Sequence, residues 1–364
     1  MIVVAKLGTS SVTDEHGEMS RPLVDKICAE VGGLRGGGHR VVIVTSGAIA
    51  AGLPALGYTA ANRPSDLSTL QAISAVGQSR LMSVYDEALA SHGLVGGQVL
   101  LSPFDFIQRS QYLHARSTLT RLLDLGVVPV VNENDAVASD EIRFGDNDRL
   151  AALVAHLVNA DVLVLLTDTA GMLSADPRLR RDASLIEEIV EIDQELERAA
   201  GGAGSARGSG GMASKLAAAK MATWSGVRTV IAAAGRHDVL AGAVAGEQGV
   251  GTIVRPRDKR LPARKLWIAF AVEASGTIVV DAGARRALTE RATSLLPAGV
   301  VGVQGKFSAD DAVEIADDGG VVFAKGLVRY AAPALLEVAG SRTADLPEGA
   351  SHEVVHRDDL VVLP

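Results

Sequence analysis

The sequence predicts an α/β protein: a mainly parallel sheet with helices on both faces, followed by a smaller, mostly β unit. Three observations predict it. Short, apolar, β-branched runs alternate with helical stretches from residue 1 to residue 255. A basic segment with two prolines, RPRDKRLPARK at 255–265, then breaks the alternation. Beyond it, short strand candidates follow one another between turns.

Each element has its own reason. The expected strands of the first unit are 2–5, 41–45, 98–101, 127–131, 162–167 and 229–233. All are short and nearly free of polar residues, as strands covered on both faces must be. The expected helices between them are 21–35, 67–91, 109–125, 148–159 and 212–225. Strands alternating with helices build parallel sheets with helical layers. In the second unit the expected strands are 267–272, 277–280, 299–304, 312–315, 321–329 and 361–363, with one helix at 283–291. That pattern suits a small barrel or sandwich. The domains are therefore expected at 1–256 and 267–364, with 257–266 as linker. No internal repeat is visible.

Composition narrows the classes. At 364 residues, two domains are expected. Hydrophobic residues make up 48% and charged residues 21%, which suits a chain with a sizeable core. Aromatics are only 3%, so Ala, Val, Leu and Ile must fill that core. A net charge of -8 argues against nonspecific binding to nucleic acid or anionic membranes. Cys28 is the single cysteine, so no intramolecular disulfide can form. It reads as a small core residue in a helix. No apolar run reaches membrane-spanning length, and the first residues do not have the pattern of a signal peptide. A cytoplasmic location is expected.

Five segments carry chemistry. The first strand ends in KLGTSS, with Lys6 before a Gly/Ser/Thr turn. Such a turn exposes backbone N–H groups at the edge where open α/β sheets bind ligands. The second strand ends in TSGAIAAG, where Ser46 serves either as an ordinary helix cap or as a ligand donor. The third segment runs NENDAVASDEIRFGDND. Its amides and carboxylates, Asn132, Asp135, Asp146, Asn147 and Asp148 among them, are too dense to be core. Asn can read a carboxylate or an ammonium group, Asp135 can pair with an ammonium, and Asp146 or Asp148 can orient a lysine. No His or Cys accompanies them, so zinc is not expected, whereas Mg²⁺ suits oxygen ligands. The strand at 162–167 ends in Thr167 and Asp168, which form either a turn or a nucleotide contact.

The fifth segment is GSGGMASK at 208–215, a glycine-rich loop entering a helix. Its N–H groups can cradle phosphates, and Lys215 lies one turn into the helix. It is not a Walker A loop. Lys6 and Lys215 thus occupy two anion-receptive positions far apart in sequence. Phosphoryl transfer asks for fixed cations around the moving group and little covalent chemistry from the protein.

Together these strings resemble the amino acid kinase family, in its glutamate-phosphorylating branch. The resembling strings are KLGTS at 6–10, VTSGAIAAG at 44–52, AVGQSRL at 75–81, VNENDAVA at 131–138, GDND at 145–148, LLTD at 165–168, ADPR at 175–178 and GSGGMASK at 208–215. SLLPAGV at 294–300, the segment around 305–307 and VHRDDLV at 355–361 resemble a PUA domain. The resemblance implies an αβα sandwich of the amino acid kinase fold and a PUA-like barrel. It implies that Lys6 and Lys215 stabilise the transferring phosphoryl group and that Asp148 holds the lysines. Ser46, Asp135 and Asn147 would bind L-glutamate, with Asn132 nearby. Lys6, Thr167, Asp168, Ser209, Gly210, Gly211, Met212, Ala213, Ser214 and Lys215 would bind ATP, accompanied by Mg²⁺. It further implies proline as a feedback inhibitor and a homo-oligomer. A kinase of the same fold acting on another small acid, and an RNA-binding role for the PUA-like part, are the alternatives. The acidic balance weighs against RNA.

Overall fold

In a computed structural model of the chain, the first 260 residues build one sheet flanked by helices. The structure describes residues 1–13, 20–102, 104–137, 147–175, 180, 182–200, 211–258, 260–272, 274–347 and 349–363. Asp146, Ser209 and Gly210 lie outside the described residues. Two units are present, Met1–Arg260 and Leu261–Pro364.

The strands of the first unit are β1 (Ile2–Leu7), β2 (Arg40–Val44), β3 (Gly96–Leu101), β4 (Val128–Glu133), β5 (Val162–Thr167), β6 (Glu188–Ile189), β7 (Arg228–Ala233) and β8 (Thr252–Val254). Its helices are α1 (Thr9–Val12), α2 (Arg21–Gly36), α3 (Ala48–Gly52), α4 (Leu67–Ala90), α5 (Phe104–Ile107), α6 (Arg109–Asp124), α7 (Asn147–Leu157), α8 (Gln194–Ala200), α9 (Met212–Trp224) and α10 (Val239–Ala245). The strand order is β3-β4-β2-β1-β5-β7-β8-β6. The pairings are parallel except between β7 and β8. The αβα sandwich of the sequence reading is thus the architecture found.

Strand alternation sorts the side chains of β1. Val3, Ala5 and Leu7 join a core with α2, α4 and α10 residues, including Ile27, Leu81, Tyr85 and Leu240. Val4 and Lys6 must therefore point to the opposite face, because successive strand residues alternate. That face carries α7, whose Leu150, Leu153 and Leu157 are buried. Lys6 is thereby aimed at the start of α7. Cys28 lies in the core, where burial and then the Asp25 charge push its thiol pKa up to about 12.

Helices α3 and α4 meet backbone to backbone. A Cβ on Gly77 would lie 1.8 Å from the Ala48 carbonyl oxygen, and one on Gly52 would lie 2.1 Å from that of Ile73. Only glycine fits either position. The same turn needs Gly47, whose φ of 103° lies in the left-handed region.

The second unit is a five-stranded sheet. Its strands are β9 (Gly276–Val280), β10 (Val300–Gly305), β11 (Ala312–Ala316), β12 (Val322–Val328) and β13 (Val355–Val362), in the order β10-β9-β11-β12-β13. Helices α11 (Ala263–Leu266), α12 (Ala282–Arg291) and α13 (Ala332–Val338) accompany it. Its core includes Ile278, Val313, Phe323 and Leu335. One expectation is corrected here. Residues 267–272 were expected as a strand, but Trp267–Ala271 is a helical turn that continues α11. A short, wholly apolar run has no period that separates strand from buried helix. Part of the span read as linker, Ala263–Leu266, is helical as well.

Candidate active site

The parallel strands β1, β2, β4 and β5 end at one edge of the sheet. Lys6 pairs in register with Val44, the last residue of β2, and with Leu165, close to the end of β5 at Thr167. Loops after β2 and β4 lie to one side of it, and the loop after β5 lies to the other. The sheet thus divides its ligand edge into two halves with a lysine between them.

Asp148, the second residue of α7, is fully buried. Its Oδ1 meets Lys6 Nζ at 2.5 Å and its Oδ2 meets Lys215 Nζ at 3.2 Å. The Ser214 hydroxyl donates to Oδ2 at 2.9 Å. Lys6 and Lys215 are themselves only 3% and 6% exposed. Burial works to raise the Asp148 pKa. The Lys6 charge, then the Lys215 charge, and hydrogen bonds from Lys6 and Ser214 together outweigh it and hold the carboxyl below the usual carboxylate range. Two cations share one anion, so the triad keeps one positive charge in excess. Gly8 makes room for it: a Cβ there would lie 3.2 Å from Lys6 Nζ.

The other half is built from neutral amides and hydroxyls, with one carboxylate beside them. The amide Nδ2 of Asn147 lies 2.6 Å from the Thr45 carbonyl, 2.8 Å from Asn132 Oδ1 and 2.9 Å from Ser46 Oγ. Asn132 donates through Nδ2 to Gln78 Oε1 at 2.9 Å, and Gln78 donates to Gln98 Oε1 at 3.3 Å. Half-buried Asp135 accepts from the Ser74 hydroxyl at 2.9 Å. On the far side of Lys6, Thr167 is buried at the end of β5, and its hydroxyl donates to the exposed Asp168 at 3.1 Å.

The structure thus joins Lys6, Asp148, Ser214 and Lys215 in one network, and Ser46, Asn132 and Asn147 in another. Asp135 stands beside the second network, through α4. Gly211 caps α9, and Met212 and Ala213 form its first turn ahead of Ser214 and Lys215. Sequence reading missed Ser74 and Gln78. Their signal was present: two polar residues at i and i+4 on the face of α4 that buries Ile73, Leu81 and Met82.

Known proteins bear on this arrangement. The model of the amino acid kinase family matches residues 1–233, and that of the PUA domain matches residues 276–349. A glutamate 5-kinase of Pelobacter propionicus is 43% identical, covering 99% of this chain and 97% of that protein. One of Herpetosiphon aurantiacus is 46% identical, with 99% and 98% covered. One of Caldanaerobacter subterraneus subsp. tengcongensis is 42% identical, with 100% and 98% covered. Among solved structures, an isopentenyl phosphate kinase aligns with 70% of this chain at 21% identity and a TM-score of 0.49, too distant to bear on the chemistry. The similarity to the glutamate 5-kinases spans both units. The chain belongs to the amino acid kinase family, in its glutamate 5-kinase group, and carries a PUA domain after the kinase unit.

Proposed function

We propose that the chain transfers the γ-phosphoryl group of ATP to the side-chain carboxylate of L-glutamate, giving L-glutamyl 5-phosphate and ADP. This reaction opens proline synthesis. The observation that carries the reading is the Lys6–Asp148–Lys215 triad, close to the strand ends and between two polar halves.

The chemistry follows from the charges. A carboxylate oxygen of glutamate attacks the γ-phosphorus as the bond to the ADP oxygen breaks. The acceptor is already ionised at neutral pH, so no general base is needed. The moving group instead needs positive charge around its oxygens. Lys6 and Lys215 supply it, and Asp148 holds both ammonium groups in place while leaving a net positive charge. Ser46, Asn147 and Asp135 bind glutamate, with Asn132 behind them. Thr167, Asp168 and the 209–215 segment bind ATP. Mg²⁺ would enter on the nucleotide phosphates. Asp148 is engaged by both lysines, and no group of three or more His, Cys, Asp or Glu residues suited to a metal occurs among the described residues.

The reading extends to proline as feedback inhibitor, a homo-oligomer and a cytoplasmic location. Among the described residues, no helix is long and apolar enough to cross a membrane. It also assigns the chemistry to residues 1–256. A chain ended near Arg260 should keep glutamate-dependent ATP turnover, and a folded but inactive truncation would sink that assignment. The main test is hydroxylamine trapping with ATP and glutamate, aspartate or carbamate offered in parallel. Hydroxamate should form with glutamate; equal or greater product from another acceptor overturns the reading. Titrating the initial rate with proline and sedimenting the protein test the two remaining expectations.

A further inference from the structure

We infer that Gln78, through the hydrogen bond that it accepts from Asn132, helps to hold the polarity of the glutamate half and is a positioning residue for acceptor binding. The inference rests on the acceptor-side reading above.

The amide groups form a directional relay. Gln78 Nε2 donates to Gln98 Oε1, so Gln78 Oε1 is left to face Asn132. That oxygen accepts from Asn132 Nδ2 at 2.9 Å. Asn132 Oδ1 must then face the opposite way, where it accepts from Asn147 Nδ2 and from the Glu133 backbone N–H. If the Asn132 amide flipped, its NH₂ would confront the NH₂ of Asn147. Two donors would then meet in a site where both residues are more than nine-tenths buried. An unmade buried hydrogen bond is costly, so the relay holds one sense.

The consequence reaches the ligand at Ser46. An amide nitrogen accepts no hydrogen bond. The Ser46 hydroxyl, 2.9 Å from Asn147 Nδ2, therefore cannot direct its proton there. Its proton is left to donate, which suits a carboxylate. Asp135, an acceptor fixed by Ser74, suits the ammonium. Gln78 thus adds to the Thr45 carbonyl and the Glu133 N–H in keeping the two ends of an amino acid sorted, through Asn132 and Asn147.

The test uses the full chain. Gln78→Met keeps the length of the side chain and removes both polar ends. It should raise KM for glutamate on the order of tenfold, the size of one lost buried hydrogen bond. KM for ATP should stay within about twofold, as no contact to the nucleotide half is touched. In an Asn132→Ala background, Gln78→Met should add nothing, because its effect passes through Asn132. Gln78→Glu keeps an oxygen facing Asn132 and should lie closer to wild type. If Gln78→Met proves insoluble, the Gln78→Glu and Asn132→Ala cycle carries the test. Equal rises in both KM values, or additive effects with Asn132→Ala, overturn the inference. Absence of hydroxamate with the wild-type chain instead overturns the acceptor reading itself.

Discussion

Asn147 and Asp148 are neighbours in sequence, yet they serve two different kinds of site. Asp148 sits among charges: two ammonium groups and a hydroxyl converge on its carboxylate. Asn147 sits among dipoles: a carbonyl, an amide and a hydroxyl surround its NH₂. In the proposed reaction, one half would handle charge that develops as the phosphoryl group moves, which needs fixed cations. The other half would handle a zwitterion already charged at both ends, which needs donors and acceptors in a fixed order. The start of α7 joins the two, so a shift of this helix disturbs both at once.

The largest effect should come from removing the charge at the centre. Asp148→Ala leaves two buried ammonium groups without the carboxylate between them. Breaking a buried ion pair from one side costs about 3–5 kcal/mol. Urea unfolding should show a loss of that size, together with loss of turnover. A variant as stable as wild type would show that the triad is not what holds this edge together.

Next come the lysines. Lys215→Ala and Lys6→Ala should each lower kcat on the order of 10²-fold or more, since they remove charge used in the transition state. A raised KM for ATP with kcat intact would instead mark the lysine as a ground-state contact.

The glutamate half should respond in KM. Asp135→Ala and Asn147→Ala should raise KM for glutamate on the order of tenfold or more, and that for ATP far less. The reverse outcome would exchange the two halves of the sheet. A subtler disturbance is Gly77→Ala, whose Cβ would lie 1.8 Å from the Ala48 oxygen. Overpacking of this kind costs about 1–3 kcal/mol. It should move α3 away from α4 and raise KM for glutamate before it alters KM for ATP. Equal stability of Gly77→Ala and wild type on thermal melting would refute the contact.

The smallest effect lies in pH. The folded Asp148 carboxyl titrates below its ordinary value of 3.8. Its contribution is therefore fully present above that value and is lost as pH falls through the lower, folded one. Asp148→Asn should flatten this part of the acid limb. Unfolding free energies of both proteins, followed from neutral pH down to about pH 2, will show parallel curves if Asp148 does not contribute.

Much of the fold was legible because buried strands carry a strong apolar signal. β1 and β5 read directly as Val- and Leu-rich runs, and α9 as the segment after a glycine-rich loop. The strands β6 and β8 were not legible: two and three residues give no pattern. The run at Trp267–Ala271 was misread because it has no polar residue to set a period. In the site, Lys6 stood out at the end of a strand, Asp148 at the start of a helix and Lys215 one turn into another. That both lysines meet one carboxylate followed from the family resemblance and not from the spacing of the residues, since the three are brought together only by the packing of β1, α7 and α9. Gln78 was hidden for a similar reason. A glutamine on a helix is unremarkable until its face proves to be buried.

The contact between α3 and α4 limits how this site can change over generations. Gly52 and Gly77 touch carbonyl oxygens of the opposite helix, and no amino acid is smaller than glycine. Every single-base change in a glycine codon that alters the residue adds at least a Cβ, and neither position has room for one. Two steps in the coding sequence beside Ser46 and Gln78 are thereby closed. A descendant with a different acceptor must reach it through the polar side chains around them, such as Ser46, Ser74 or Gln78, while the helix pair stays as it is.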